Sequence, residues 1–106
     1  MSYRFMRVLV FFDLPVVTGE QRREYTKFRK FLLKSGFLML QESVYCKISL
    51  NGTAQEQEIS FLRKHRPAAG TVQMLSVTER QFSRMEYLVG DYNGDILQSD
   101  ERLVIL

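Results

Sequence analysis

The longest unbroken apolar run in the chain is five residues, Val8 to Phe12, and it stops at Asp13-Leu14-Pro15. A membrane span takes roughly 20 apolar residues, so this run cannot supply one. It reads instead as the heart of a strand over Arg4–Phe12, rich in Val, Leu and Phe. Pro15 cannot donate to a ladder, so the strand ends before it. A strand this apolar belongs at the centre of a sheet, covered on both faces. The remaining segments must be arranged around it.

Thr18 to Lys34 has the pattern of a helix. Thr18 followed by Gln21 fits a capping box, Glu20 suits the first turn, and Gly36 supplies a stop. Gln21, Tyr25, Phe28 and Leu32 fall on one face by the 3.6-residue period. Arg23, Lys27, Lys30 and Lys34 follow at spacings of four, three and four and form a stripe on the other side. That stripe is about 16 Å long at 1.5 Å per residue.

Phe37 to Leu50 is β-rich but interrupted by Gln41-Glu42, which predicts two strands, or one strand broken by a bulge or tight bend. Asn51-Gly52-Thr53 opens a second helix running to about Arg66, with Thr53 and Glu56 as a capping box. Its last turn holds Arg63, Lys64, His65 and Arg66, where cations suit the helix dipole, and Pro67 and Gly70 end it. Thr71–Val77 is predicted to be a strand, Thr78–Gln81 a turn, and Ser83–Val89 another strand. Residues 91–95 form a turn, and Leu103-Val104-Ile105-Leu106 is an apolar end that would add to a sheet, here or in a second subunit.

Strand, helix, paired strands, helix and strand give an α+β chain with the βαββαβ order of ferredoxin-like folds, two helices lying on one sheet face. The 106 residues suit one domain. Its core covers about 1–90, and 91–106 form a C-terminal β extension for subunit or partner contact.

Charge is uneven along this order. Residues 1–47 carry nine basic and four acidic side chains, and residues 85–106 carry one basic and five acidic. A basic front suits a polyanion, and an acidic tail suits a basic protein surface. The single cysteine, Cys46, cannot form an internal disulfide, reads as a small buried hydrophobe, and agrees with a cytoplasmic location.

Two features carry chemistry. Asp13 follows the apolar strand directly. It is either a turn residue or half of a hard-metal site, since two copies near a two-fold axis would share a magnesium ion with water completing the octahedron. Such an ion would activate water against a phosphodiester. The stripe Arg23, Lys27, Lys30 and Lys34, flanked by Arg22 and Arg29, is either a solvated face or a track for phosphates. The helix's acidic residues, Glu20 and Glu24, lie only near its start, so its later turns are purely basic. Phosphate contacts along it would position a duplex without reading its sequence.

Other patterns fail. Asp91, Asn93 and Asp95 begin like a calcium loop, but Ile96 stands where glycine is needed and Arg102 where glutamate is needed. Asn51-Gly52-Thr53 matches a glycosylation sequon and is better explained by helix capping. His65 is the only histidine, without the neighbours a zinc site needs. No Gly-rich phosphate loop, nucleophile–histidine–acid set or RRM-type aromatic motif is present.

Taken jointly, these residues resemble a known family. Phe11-Phe12-Asp13 ends a first strand, arginines follow at a helix start, Ser35-Gly36-Phe37 closes that helix, and Gln41-Glu42-Ser43-Val44-Tyr45 comes next. Thr78-Glu79-Arg80-Gln81 and Leu88-Val89-Gly90 extend the match to essentially the whole chain. The pattern resembles the CRISPR-associated adaptation protein Cas-Two, in the version that accompanies type II systems. The resemblance implies a ferredoxin-like homodimer within the spacer-acquisition complex. There it bridges two dimers of the integrase subunit and helps hold a DNA duplex by its backbone. It also implies that Asp13 is a ligand for magnesium-dependent nuclease activity, on RNA or DNA in different members, and that Arg22 and Arg23 match the family's helix-start arginines. Phe12 stands where the family often has tyrosine, Pro15 where polar residues are usual, and Tyr45 where phenylalanine is usual.

Three functions follow as expectations. The first is an adaptation subunit binding DNA through the basic stripe. The alternative is a metal-dependent phosphodiesterase using Asp13, with a toxin-like endoribonuclease of the same fold as its partner-free form. The third is a dimeric module for a small ligand, for which the sequence marks no pocket.

Overall fold

In the computed structural model, which describes residues 5–91, the elements are β1 (Met6–Asp13), α1 (Gly19–Lys34), β2 (Leu38–Gln41), β3 (Val44–Ser49), α2 (Gly52–Lys64), β4 (Thr71–Thr78) and α3 (Glu79–Phe82). The strands form one antiparallel sheet in the order β2-β3-β1-β4. This is the predicted α+β, ferredoxin-like arrangement, with β1 inside the sheet. The β extension assigned to 91–106 and the apolar end 103–106 lie outside the described residues, apart from Asp91.

Alternation along β1 sorts its side chains. Val8, Val10 and Phe12 point towards the helices and join Phe28 and Leu32 of α1, Leu62 of α2 and Tyr45 of β3 in one core. Phe12 lies at its centre, with ring centroids 5.8 Å from Tyr25, 5.2 Å from Phe28 and 5.6 Å from Tyr45. Burial pushes the Tyr45 phenol above its usual pKa, and the nearby Arg29 guanidinium opposes that shift.

The loops follow local chemistry. Thr18 caps α1 through the predicted box with Gln21. At the other end the amide of Gly36 donates to the Leu33 carbonyl and that of Phe37 to the Leu32 carbonyl, a Schellman closure with Gly36 at φ +93°. Phe37–Leu50 forms two strands, the first of the two readings, and not one broken strand. Glu42 and Ser43 make a tight turn between β2 and β3, and the register shifts between Met39 and Gln41. Lys47 donates to the Ser35 carbonyl at 2.6 Å and lies 3.5 Å from the Glu58 carboxylate, which also accepts from the Ser49 hydroxyl. These contacts tie β3 to α2 and to the end of α1.

The structure corrects three expectations, on Thr78–Gln81, Ser83–Val89 and the cap of α2. The middle of β1 is covered on both faces, as expected: α1 and α2 pack on one. On the other, Arg7, Leu9 and Phe11 share a surface with Val44, Cys46 and Ile48 of β3 and with Leu75 and Val77 of β4. There Leu9 and Cys46 are buried, with Phe82, Met85 and Tyr87 beside this face, while Leu38, Ile48 and Leu75 remain about half exposed.

The predicted turn Thr78–Gln81 is helix α3, because Thr78 and Gln81 form a second capping box. Arg7 anchors this helix: its guanidinium makes two hydrogen bonds to Glu79, at 2.7 and 3.0 Å, and lies 4.0 Å from the Phe82 ring centre. That bonding holds the Glu79 carboxyl below its usual pKa, while burial raises the Cys46 thiol beside it.

Ser83–Val89 is not a strand. The amides of Arg84 and Met85 donate to the Gln81 and Phe82 carbonyls, so this backbone bonds locally instead of joining a ladder. It pairs with neither edge strand of the sheet, β2 or β4. Finally, α2 is capped by Asn51, whose side chain accepts from the Ala54 amide, and not by a Thr53–Glu56 box.

Candidate functional site

Asp13 is the last residue of β1 and pairs in register with Thr71. Since Phe12 points into the core, alternation turns Asp13 to the side opposite α1 and α2, where it is exposed. It makes no ion pair among the described residues. The strand end carrying it is held by the loop before β4. Gly70 has φ +87°, and a Cβ there would sit 2.8 Å from the Asp13 carbonyl oxygen and 2.8 Å from Leu14 Cδ2.

Gly70→Ala is therefore expected to lose about 2 kcal/mol or more, from left-handed strain plus the backbone clash. Gly70→Asn should be no better, because asparagine tolerates the angle but carries the same Cβ. Chemical denaturation of both variants checks this, and a clear advantage for asparagine would show that only the angle matters.

The donor set around Asp13 is thin. Among the described residues no three His, Cys, Asp or Glu side chains gather as metal ligands. Magnesium needs six oxygens at near-ideal octahedral geometry, of which water supplies several. One carboxylate per chain fits such an ion poorly. Two copies of Asp13 from two chains fit it better.

The basic residues occupy the opposite side of the molecule, on α1. Arg23, Lys27, Lys30 and Lys34 are all exposed, while Phe28 and Leu32 turn to the core, so the helical period divides the faces as expected. Arg22 is also exposed, but its Nη1 donates to the carbonyls of Val16 at 3.3 Å and Val17 at 2.8 Å. It braces the loop leading into α1 and comes together with Arg23 around Gly19. Arg29 is half-buried and lies towards Tyr45. The structure thus gathers Arg22 to Lys34 into one cationic face and leaves Asp13 apart from it.

Sequence reasoning missed the extension of this face. The end of α2 brings Lys64, His65 and Arg66 to a cleft that Lys27 and Phe31 also line. The signal was the run Arg63-Lys64-His65-Arg66, whose charge was assigned to the helix dipole alone.

Comparison with known proteins agrees with this architecture. The family model described as "CRISPR associated protein Cas2" matches residues 6–85. A Treponema denticola protein named "CRISPR-associated endoribonuclease Cas2" is 50% identical over 101 residues, covering 95% of this chain and all of the relative. Its namesake from Streptococcus mutans is 48% identical over 95% of this chain and 93% of its own length. A third, from Acidovorax ebreus, is 54% identical over 80% of this chain and 83% of its own.

Proposed function

Because the chain belongs to the Cas2 family, we propose that it serves CRISPR adaptation as a homodimer that grips duplex DNA by its phosphates and bridges two dimers of the integrase subunit. The observation that carries this reading is the exposed row Arg23, Lys27, Lys30 and Lys34 on α1, free of ion pairs among the described residues. Such a row neutralises successive phosphates and releases their counterions. Support for the homodimer comes from the sheet face opposite α1 and α2, where Leu38 on edge strand β2, Leu75 on edge strand β4 and Ile48 lie half exposed. Apolar sheet edges are a template for pairing with another chain. A cytoplasmic location belongs to the same reading; among the described residues no helix is long and apolar enough to cross a membrane.

One observation favours a second reading, a metal-dependent nuclease. Asp13 is exposed at the end of that same face, so two sheets meeting there about a two-fold axis would carry two copies of it. The relatives above are named endoribonucleases. A magnesium ion held by the two carboxylates would supply an activated water.

Asp13→Ala separates the readings. As a scaffold, the variant keeps wild-type dimer size on gel filtration and wild-type spacer acquisition in cells, whatever happens to metal-dependent cleavage. Loss of acquisition with the dimer and integrase complex intact would make chemistry at Asp13 the mechanism. RNA cleavage abolished by both Asp13→Ala and EDTA, with no integrase present, would favour the toxin-like endoribonuclease.

A further inference from the structure

The second basic element, at the end of α2, carries aromatic rings that the duplex-binding proposal does not use. The His65 ring lies 4.5 Å from Phe31 and within 16° of parallel to it, and 4.5 Å from Phe61 at 58°. Phe31 belongs to the margin of the core, whereas Phe61 and His65 are exposed, Phe61 to 48%. His65 is fixed from below, because its Nδ1 hydrogen-bonds with the Phe61 carbonyl at 3.0 Å. Beside these rings a cleft of about 230 Å³ is lined by Lys27, Lys64 and Arg66, with Glu24 as its one carboxylate. Lys27 and Lys64 are exposed and make no ion pair among the described residues. Arg66 is held in place by donating to the Arg63 carbonyl at 2.7 Å.

Pre-ordered rings flanked by cations from two helices are what an unpaired nucleotide needs. Its base stacks on an exposed π-face while its phosphates meet the cations. A duplex interior hides its base faces and gains nothing from the rings. From this arrangement we infer that the α1–α2 cleft binds an unpaired nucleotide of a nucleic-acid strand, the base stacking on His65, whose ring Phe61 braces, and its phosphate lying at Lys27, Lys64 and Arg66. This goes beyond the duplex track along α1: Lys27 belongs to both, but the rings of His65 and Phe61 serve only the unpaired nucleotide, so variants there test it apart from the duplex track.

The test uses the full chain and a single-stranded oligothymidylate of about 10 nucleotides carrying one 2-aminopurine. Binding should quench the 2-aminopurine fluorescence through stacking. His65→Ala and Phe61→Ala should each remove the quenching and weaken this oligonucleotide by about 5- to 100-fold, the range for losing one base–aromatic stack. Affinity for a blunt duplex should stay within about two-fold of wild type. Lys64→Gln should weaken the single strand while leaving the quenching of the bound complex in place. If Phe61→Ala fails to fold, His65→Ala decides, since its ring is exposed. Unchanged quenching and affinity in a folded His65→Ala protein would overturn the inference and leave His65 as a cap on α2. Equal losses for single strand and duplex would also overturn it.

Discussion

Replacing Lys27, Lys30 and Lys34 together with glutamate is expected to weaken duplex binding by about 100-fold or more at about 0.1 M salt. The slope of log affinity against log salt should fall by about 3. Each phosphate contact contributes about 0.9 to that slope through counterion release. Three lost contacts, extrapolated from about 1 M to 0.1 M salt, remove more than two decades of affinity. All three side chains are exposed, and the α1 residues buried in the core are Phe28 and Leu32, so the fold should survive. Binding titrations at several salt concentrations, with circular dichroism on the variant, check this. An unchanged slope would take α1 out of the DNA interface.

Leu32→Ala is expected to cost about 2–5 kcal/mol, the range for large-to-small changes in a well-packed core. Leu32 is fully buried, in a cluster that also contains Val8, Val10, Phe28 and Tyr45. Its carbonyl also accepts the Ser35 and Phe37 amides that close α1, so a shift there loosens the helix end as well. Against a total stability of about 5–15 kcal/mol, that loss is large. Leu33→Ala is the control: Leu33 is 42% exposed and should cost below about 1 kcal/mol. Urea denaturation of the two variants side by side gives the comparison. Similar losses would mean that α1 docks with a different face than the one described.

Several features of the site were legible because they are local. The capping box of Thr18 and Gln21, the closure at Gly36 and the row Arg23 to Lys34 depend on spacing along one helix. Asp13 could be singled out because a carboxylate interrupts a strand of apolar residues. Its exposure on the side opposite α1 and α2 follows from alternation once Phe12 is placed in the core.

Most of the errors came from contacts that spacing does not encode. Ser83–Val89 has enough apolar residues for a strand, but its backbone bonds locally after α3, and Met85, Tyr87 and Val89 lie beside Leu9 and Phe11 of the sheet face instead of extending an edge. Thr78–Gln81 is the exception: its capping box is a local signal, and Arg7, 72 residues from Glu79, then anchors the helix. Lys64 and Arg66 looked like dipole-complementing cations until α2 was packed against α1.

The sequence by itself determined the order from β1 to β4, the faces and cap of α1 and the separation of a basic front from an acidic tail, since each depends on residues close together in the chain. Only the tertiary structure decided that α3 docks on the sheet face opposite α1 and α2, that Gly70 presses on the backbone of Asp13, and that His65 stacks on Phe31 and tilts against Phe61 beside Lys27. Those are distances between segments far apart in the chain, set by which surfaces the common core brings together.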